Sequence, residues 1–346
     1  MALTIYDLVK APDIAAYWET FSQDREPYPL EAMFPNDKKL GLDLSWIKGA
    51  EGRPAVLKAS AFDAVAVPRP RIGFDRLTAQ MPFFKESLYV DEVIRQQLNI
   101  VLETGNQAYI DSVMGRVFKD DIRLIEGAAA RREQMRMMAL TTGIIAMTSN
   151  GQAYSYDYGM PAGHKATVGT SWSDASADIL GDLQAGIDKI EEDTGVRVTR
   201  GMCNLKVWNY IRKNTDISKA IFTMGNGTVQ PSDAQIRTLL MERLGLEIMV
   251  NSKRYVNDSG ATVPYMPDDT FVLFPAGQLG TTWFGTTPEE SDLMASGVAN
   301  VAITDTGVAV TTMEMADPVN VTTKVTMITL PSFEAADQVY IIDVTV

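Results

Sequence analysis

The chain has few of the residue types that most often carry catalysis or hold a metal ion. Its 346 residues include a single cysteine, Cys203, and a single histidine, His164. A disulfide within the chain is therefore impossible. Any zinc site or nucleophile–base triad would depend on one imidazole, because no HExxH motif, paired cysteines or second histidine is present. The composition disfavours enzymes of these classes.

Long apolar runs are also missing. No window approaches the roughly 18 uncharged apolar residues of a membrane span. The N-terminal stretch MALTIYDLVKAPDIAAYWE lacks the basic start and the apolar core of a signal peptide. We therefore expect a protein that has no membrane segment and is made in a reducing compartment.

Positive charge is scarce as well. The chain carries 31 basic and 44 acidic residues, which gives a net charge of −13. An acidic protein repels phosphate, so sequence-independent binding of nucleic acid is disfavoured. Two interpretations stay open. The charge keeps the protein soluble, or it forms a negative inner wall along which packed DNA can slide.

Each residue that could carry chemistry has a simpler structural interpretation. His164 lies in GMPAGHKAT and is expected to be a loop residue without a role, since this segment misses the glycine spacing of a phosphate-binding loop. Cys203 has apolar neighbours and is expected to be a buried thiol. Paired carboxylates are interpreted as surface charge, turns or helix ends. These pairs are Asp120/Asp121, Glu191/Glu192, Asp268/Asp269 and Glu289/Glu290. We therefore predict no catalytic, cofactor-binding or metal-binding residues.

The first 82 residues show little ability to form a core of their own. Residues 1–35 combine short helical spacing with a proline-containing stretch, so we expect an arm that is loose or lies across another surface, such as a neighbouring copy. Residues 36–82 read as extended, and LGLDLSWIKG alternates apolar and polar positions. Pro68 and Pro70 exclude a central strand. Exposed edges of this kind invite pairing with another chain.

A helical pattern follows and continues with few breaks from about Gln107 to Met147. One unbroken helix would be ~60 Å long; the alternative is two helices that meet near 119–121. The arginines at 131–136 are interpreted as a solvated face. Residues 148–172 predict a β-hairpin around Asn150-Gly151, in which alternate tyrosines pack on one face.

After Trp172 the pattern alternates between helices and strands, as in a compact α/β domain. Ser173 or Asp174 is expected to cap a helix that Gly195 ends, and Ser232 to Gln235 form a capping-box pattern. Residues 255–275 predict a strand, a turn, a strand, a second turn and a buried strand, and further strands follow from 297. No internal repeat is evident.

Ordered segments of the chain resemble the lambda-like phage major capsid proteins, the E family, from about Phe34 to Val346. They are FPNDKKLGLDLSWIKG, RIGFDRLTAQ, LIEGAAARREQMRMMALTTG, WSDASADILGDLQAGIDKIEEDTG, NLKVWNYIRKN, LGLEIMVNSKRYVNDSG, MPDDTFVLFP and PSFEAADQVYIIDV. The resemblance implies an α+β, Hong Kong 97-like capsid fold with a long spine helix. It implies an N-terminal arm at 1–35, an extended β-hairpin loop at 36–82, a peripheral domain at 83–172, an axial domain at 173–315, and returning strands at 316–346 shared by the two domains.

The function implied by the resemblance is structural. Many copies would self-assemble, as hexamers and pentamers, into an icosahedral procapsid and capsid that enclose double-stranded DNA without sequence-specific binding. Scaffold, portal and decoration proteins would be further partners, and assembly would take place in the host cytoplasm. No cofactor and no membrane are expected. The alternatives are another virion component, such as a decoration or tail protein, and an α/β enzyme that uses acidic residues.

Overall fold

The structure is a computed structural model, and it describes residues 8–48, 75–90, 92–104, 107–222, 230–297, 299–316 and 319–346. The proline-containing part of the expected extended loop, with Pro68 and Pro70, lies outside these residues. None of the described helices is long and apolar enough to cross a membrane. The helices are α1 Ala11–Asp24, α2 Glu92–Thr104, α3 Gln107–Thr142, α4 Ile179–Thr194, α5 Leu205–Lys213, α6 Thr215–Ile221, α7 Asp233–Leu244 and α8 Met294–Ser296.

Strands make up the rest of an α+β fold. They are β1 Asn36–Lys38, β2 Asp43–Lys48, β3 Asp75–Gln80, β4 Phe83–Tyr89, β5 Ile144–Ser149, β6 Gln152–Asp157, β7 Lys165–Thr167, β8 Arg200–Cys203, β9 Glu247–Val250, β10 Arg254–Val256, β11 Thr262–Pro264, β12 Thr270–Phe274, β13 Thr281–Phe284, β14 Asn300–Thr304, β15 Val308–Ala316, β16 Val319–Ser332 and β17 Tyr340–Asp343.

The chain divides into two compact units. Unit 1 comprises Met1–Leu44, Ala79–Met135 and Thr281–Ser332, and unit 2 comprises Ser45–Thr78, Arg136–Gly280 and Phe333–Val346. Both units are therefore built from segments that lie far apart in the sequence.

Unit 1 is organised around the long strand β16. Its sheet has the order β1-β13-β16-β15-β14, and β4 pairs with β16 as well. The first part of β16 pairs with β15 and β4, and the last four residues pair with β13. Alternate side chains of β15 and β16, among them Val310 and Val325, share a core with the first half of α3.

Helix α1 packs on unit 1 and is not a loose arm. Pro12 lies in its first turn, where the missing N–H does no harm. Ile14, Ala15 and Trp18 form a buried stripe at helical spacing, and α1 contacts β14 and β15. The sequence left open whether residues 1–35 form a loose arm or lie on another surface. The structure shows that this surface belongs to the same chain.

Helix α3 is one unbroken helix of 36 residues, which corresponds to about 54 Å. The proposed break near 119–121 does not occur, because Asp121 and Ile122 continue the buried side of the helix. The helix ends at Gly143, whose φ of 72° lies in the left-handed region that helix ends commonly need.

Unit 2 is a five-stranded sheet with helices packed against it. The strand order is β7-β17-β12-β8-β9, and its core includes Trp172, Trp208, Phe271 and residues of α4 to α7. Burial of β8 and β12 explains why their sequences are almost wholly apolar.

Most of the helix ends and turns that the sequence predicts in unit 2 are present in the structure. Ser232 and Gln235 form a capping box, and Gly195 ends α4 with a φ of 74°. The expected N-cap of α4 is wrong, because Asp178 caps this helix. Asp174 instead accepts hydrogen bonds from the backbone N–H and hydroxyl of Ser176.

Both expected hairpins are present in unit 2. Asn150 and Gly151, both with positive φ, connect β5 to β6. Asn257 accepts from the backbone N–H groups of Ser259 and Ala261 in the turn between β10 and β11. The buried strand expected at the end of this region is β12.

Candidate functional site

His164 is a structural residue of unit 2. Its side chain is buried within a short 3-10 turn, and Nε2 lies 3.0 Å from Oδ2 of Asp193. Lys189 also pairs with Asp193, and these two partners hold the pKa of Asp193 below its usual range. In the described part of the chain, His, Cys, Asp and Glu nowhere form a group of three that could hold a metal ion.

Cys203 is the buried thiol that the sequence predicts. It lies on β8 inside the sheet of unit 2, and burial raises its pKa to about 12. A thiol with such a pKa is almost entirely protonated near neutral pH, and only the thiolate is a good nucleophile. Cys203 is therefore unreactive in the folded protein.

Two of the carboxylate pairs have the structural roles expected of them. Asp268 and Asp269 form the turn before β12, where Asp268 accepts from Asn204 and Asp269 pairs with Lys206 at 2.7 Å. Glu191, near the end of α4, lies 3.8 Å from the guanidinium of Arg197. These contacts join each carboxylate to an amide or to a cation, as expected of turn and surface residues.

A largely buried polar cluster in unit 1 centres on Asp305. Arg132, in the middle of α3, is 2% exposed, and its Nη2 donates to Oδ2 of Asp305 at 2.6 Å. The indole Nε1 of Trp18 donates to the other carboxylate oxygen at 3.0 Å. The guanidinium also lies 5.5 Å from the ring centre of Phe284, a distance at which a cation is attracted to an aromatic face. Asp305 thus joins α1, α3 and the β14–β15 hairpin.

The β14–β15 turn that carries Asp305 has an unusual backbone. Asp305 and Thr306 have φ values of 44° and 75°, and a β-branched residue such as threonine rarely adopts such angles. At Gly307 an added Cβ would lie 2.6 Å from Cβ of Phe284, so only glycine fits. Strained turns of this kind persist where surrounding contacts fix them. Here those contacts are the two bonds to Asp305.

The neighbouring residue of α3 fixes the next part of the N-terminal segment. Glu133 is fully buried, and its Oε1 accepts from the backbone N–H of Leu30 at 3.1 Å. Glu133 therefore holds the N-terminal segment directly, and Arg132 holds it through Asp305, which binds Trp18. We call the five residues of this arrangement the N-terminal clasp: Trp18, Leu30, Arg132, Glu133 and Asp305.

A second buried ion pair holds the connection between β13 and β14. Glu289 begins a π-helical turn, Glu289–Leu293, and accepts from Lys324 at 2.6 Å and from the hydroxyl of Thr326 at 3.0 Å. Burial raises the pKa of Glu289, but the bonds and the charge of Lys324 outweigh it and leave this pKa below its usual range. Glu290 pairs with Lys38 of β1. The pair Glu289/Glu290 is thus a fixed structural contact.

The environment of Asp121 favours the neutral form of its carboxyl group strongly. It is 4% exposed on the side of α3 that faces the sheet of unit 1. Burial raises its pKa to about 7; a hydrogen bond with Thr323 opposes this and the charge of Asp120 adds to it.

Sequence reasoning missed these polar groups of α3. It interpreted Asp121 as surface charge and the arginines at 131–136 as a solvated face, yet Asp121, Arg132, Glu133 and Arg136 are all buried. A signal was present. Asp121 lies four residues before the buried Ile125, and Arg132 lies seven residues after it. These spacings place all three residues on one side of the helix.

The profile of the family described as Phage major capsid protein E matches residues 12–344. A prophage capsid protein of Escherichia coli CFT073 superposes with a TM-score of 0.62 at 14% identity, covering 97% of this chain and 99% of that chain. A phage-related protein of Bordetella bronchiseptica RB50 gives 0.56 at 12% identity, with 97% of each chain covered. A capsid chain of cyanophage A-1(L) gives 0.50 at 10% identity, covering 91% and 92%. A search of curated proteins finds no significant match.

Proposed function

The chain belongs to the phage major capsid protein E family, and on this basis we propose that it is the subunit of an icosahedral shell that encloses double-stranded DNA. It is a structural protein of the phage capsid and not an enzyme, as family and fold agree. The observation that carries the proposal is the family match over residues 12–344. The sequence-based prediction of the family and of its fold class is confirmed.

The proposal includes details that go beyond family membership. Copies of the chain would form hexamers and pentamers, assembled in the host cytoplasm with scaffold, portal and decoration proteins as partners. No residue would act in catalysis or bind a cofactor or metal. The net charge of −13 supports a shell wall that does not hold DNA tightly.

We also propose the domain plan that the resemblance implies. It places an arm at 1–35, an extended loop at 36–82, a peripheral domain at 83–172, an axial domain at 173–315 and shared returning strands at 316–346. The two compact units divide the chain differently from this plan, because residues 281–315 belong to unit 1 and residues 136–172 belong to unit 2.

Physical features of unit 1 support a subunit that completes its burial in an assembly. Leu40, between β1 and β2, is 85% exposed, and Tyr89 at the end of β4 is 72% exposed. In the described part of the chain, β4 and β14 each pair along one edge only. Unpaired strand edges and exposed large apolar side chains are costly for an isolated protein and suit one that binds copies of itself.

Negative-stain electron microscopy of the purified protein tests the function. Closed shells of uniform size are expected. Tubes would indicate a tail component, and single particles at all concentrations and ionic strengths would contradict the proposal.

A deletion tests the role of the extended loop. Replacing residues 49–74 with a short Gly-Ser linker is expected to abolish shells. Near-ultraviolet circular dichroism should show that the variant still folds. Shells formed by this variant would remove the loop from the assembly mechanism, while leaving the capsid function itself intact.

A further inference from the structure

Asp121 occupies a position at which the helical pattern calls for an apolar residue. Met114, Val117, Asp121 and Ile125 follow one another at intervals of three and four residues, so they lie on one side of α3. Each of them is buried in unit 1, and the three apolar members belong to its core. A carboxyl group thus occupies a position in the core of unit 1.

The oxygen atoms of Asp121 are poorly supplied with donors. One hydrogen bond joins the side chain to Thr323 of β16, while Oδ2 is buried and has no hydrogen-bond partner among the described residues. Thr312 of β15 lies directly opposite Thr323, and its buried hydroxyl likewise has no described partner. A carboxylate offers about four acceptor positions. One neutral hydroxyl therefore does not replace the water molecules that the carboxylate loses on burial.

Charged groups near this contact do not compensate for the burial. On α3 the neighbour Asp120 is acidic, and it pairs with Arg123 at the surface. On β16 the next residue, Lys324, binds Glu289, and successive side chains of a strand point to opposite faces. On β4, Leu88 lies opposite Thr323, and Glu86 two residues earlier is also acidic.

We propose that Asp121 binds a proton in the folded subunit and makes the contact between α3 and the β15–β16 hairpin depend on pH. The neutral carboxyl group keeps the contact closed. Loss of the proton leaves a buried, uncompensated charge, which loosens the helix from Thr323 and Thr312. The inference uses unit 1 alone and does not depend on shell formation.

The direction of the pH effect follows from proton linkage. The pKa rises from the ordinary 3.8 to about 7 on folding, so between these values the folded state keeps a proton that the unfolded state releases. The contribution of Asp121 to stability is therefore greatest below pH 4, falls as pH rises, and stays low above pH 7. The full difference corresponds to a change of about a thousandfold in the folding equilibrium constant.

Amide hydrogen exchange on the unassembled subunit tests the switch. Wild type, Asp121→Asn and the control Asp120→Asn are compared between pH 5 and pH 9, with each rate corrected for intrinsic exchange. We expect protection of residues 114–125 and 312–323 to fall with pH in wild type and in Asp120→Asn. Protection should stay level in Asp121→Asn, because the amide cannot ionise. Equal pH dependence in wild type and Asp121→Asn would overturn the proposal.

A second measurement does not depend on how well the variant folds. The infrared C=O stretch of a protonated carboxyl group should be visible in wild type near pH 6 and disappear by pH 9. Asp120→Asn should keep this band and Asp121→Asn should lose it. Absence of the band from wild type at pH 6 would refute proton binding at Asp121.

Discussion

Substitution of Asp305 by asparagine is the sharpest perturbation of the N-terminal clasp. Asparagine keeps an oxygen that can accept from Trp18, and it tolerates the left-handed backbone of the β14–β15 turn. The charge is lost, so Arg132, which is 2% exposed, remains without its carboxylate. The substitution therefore isolates the ion pair from the geometry of the turn.

The expected magnitude follows from the burial of the two partners. Removing one member of a buried pair costs about 3–5 kcal/mol, mostly because the other charge stays buried and unpaired. The Asp305 side chain is 22% exposed, so water reaches it in part and we expect the lower end, about 3 kcal/mol. Since each 1.4 kcal/mol is a factor of ten, this equals roughly a hundredfold change in the equilibrium between docked and undocked α1.

Hydrogen exchange of the amides of α1 measures this change directly. Exchange in Ala11–Asp24 should accelerate about a hundredfold in Asp305→Asn at pH 7. The matched control is Asp120→Asn, which breaks the exposed pair with Arg123 and should change stability by less than about 0.5 kcal/mol.

A double variant distinguishes an unpaired charge from a general loss of packing. In Arg132→Met/Asp305→Asn the buried cation is gone, so α1 should regain much of its protection. Acceleration in Asp305→Asn no larger than in Asp120→Asn would refute the reasoning. It would mean that water or another group solvates Arg132 once Asp305 loses its charge.

Two further predictions concern packing and pH. Gly186→Ala in α4 should lower stability by about 1–3 kcal/mol, because its Cβ would lie 2.8 Å from side-chain atoms of Leu273 and Tyr340. In Gly127→Ala of α3 the added Cβ meets open space, so this substitution should raise stability by about 0.5–1 kcal/mol. Urea unfolding measures the stability of both glycine variants. Equal effects of the two substitutions would contradict these packing arguments. Glu289→Gln should cost about 3 kcal/mol at pH 7, since Lys324 is 14% exposed and loses its partner. Because the pKa of Glu289 is lowered, its contribution is present above the unfolded value of about 4.3 and is lost as pH falls through the folded one. The difference in unfolding free energy between wild type and variant should therefore be smaller at pH 3 than at pH 7.

Local sequence chemistry determined much of the secondary structure of this protein. The capping box at Ser232, the end of α4 at Gly195 and the hairpin at Asn150-Gly151 each depend on residues a few positions apart. The apolar run of β12 and the long helical pattern of α3 were recognisable for the same reason, as was the family resemblance. Such features need no knowledge of distant parts of the chain.

Tertiary structure alone decided which distant groups meet the buried polar side chains of α3. Arg132 and Asp305 are 173 residues apart in sequence, and no local pattern indicates that the β14–β15 turn meets the middle of α3. The same holds for Glu133 with Leu30 and for Asp121 with Thr323. A charged residue on an amphipathic helix is normally solvated, and only the arrival of distant segments removes its water and makes its partner, or the lack of one, energetically important.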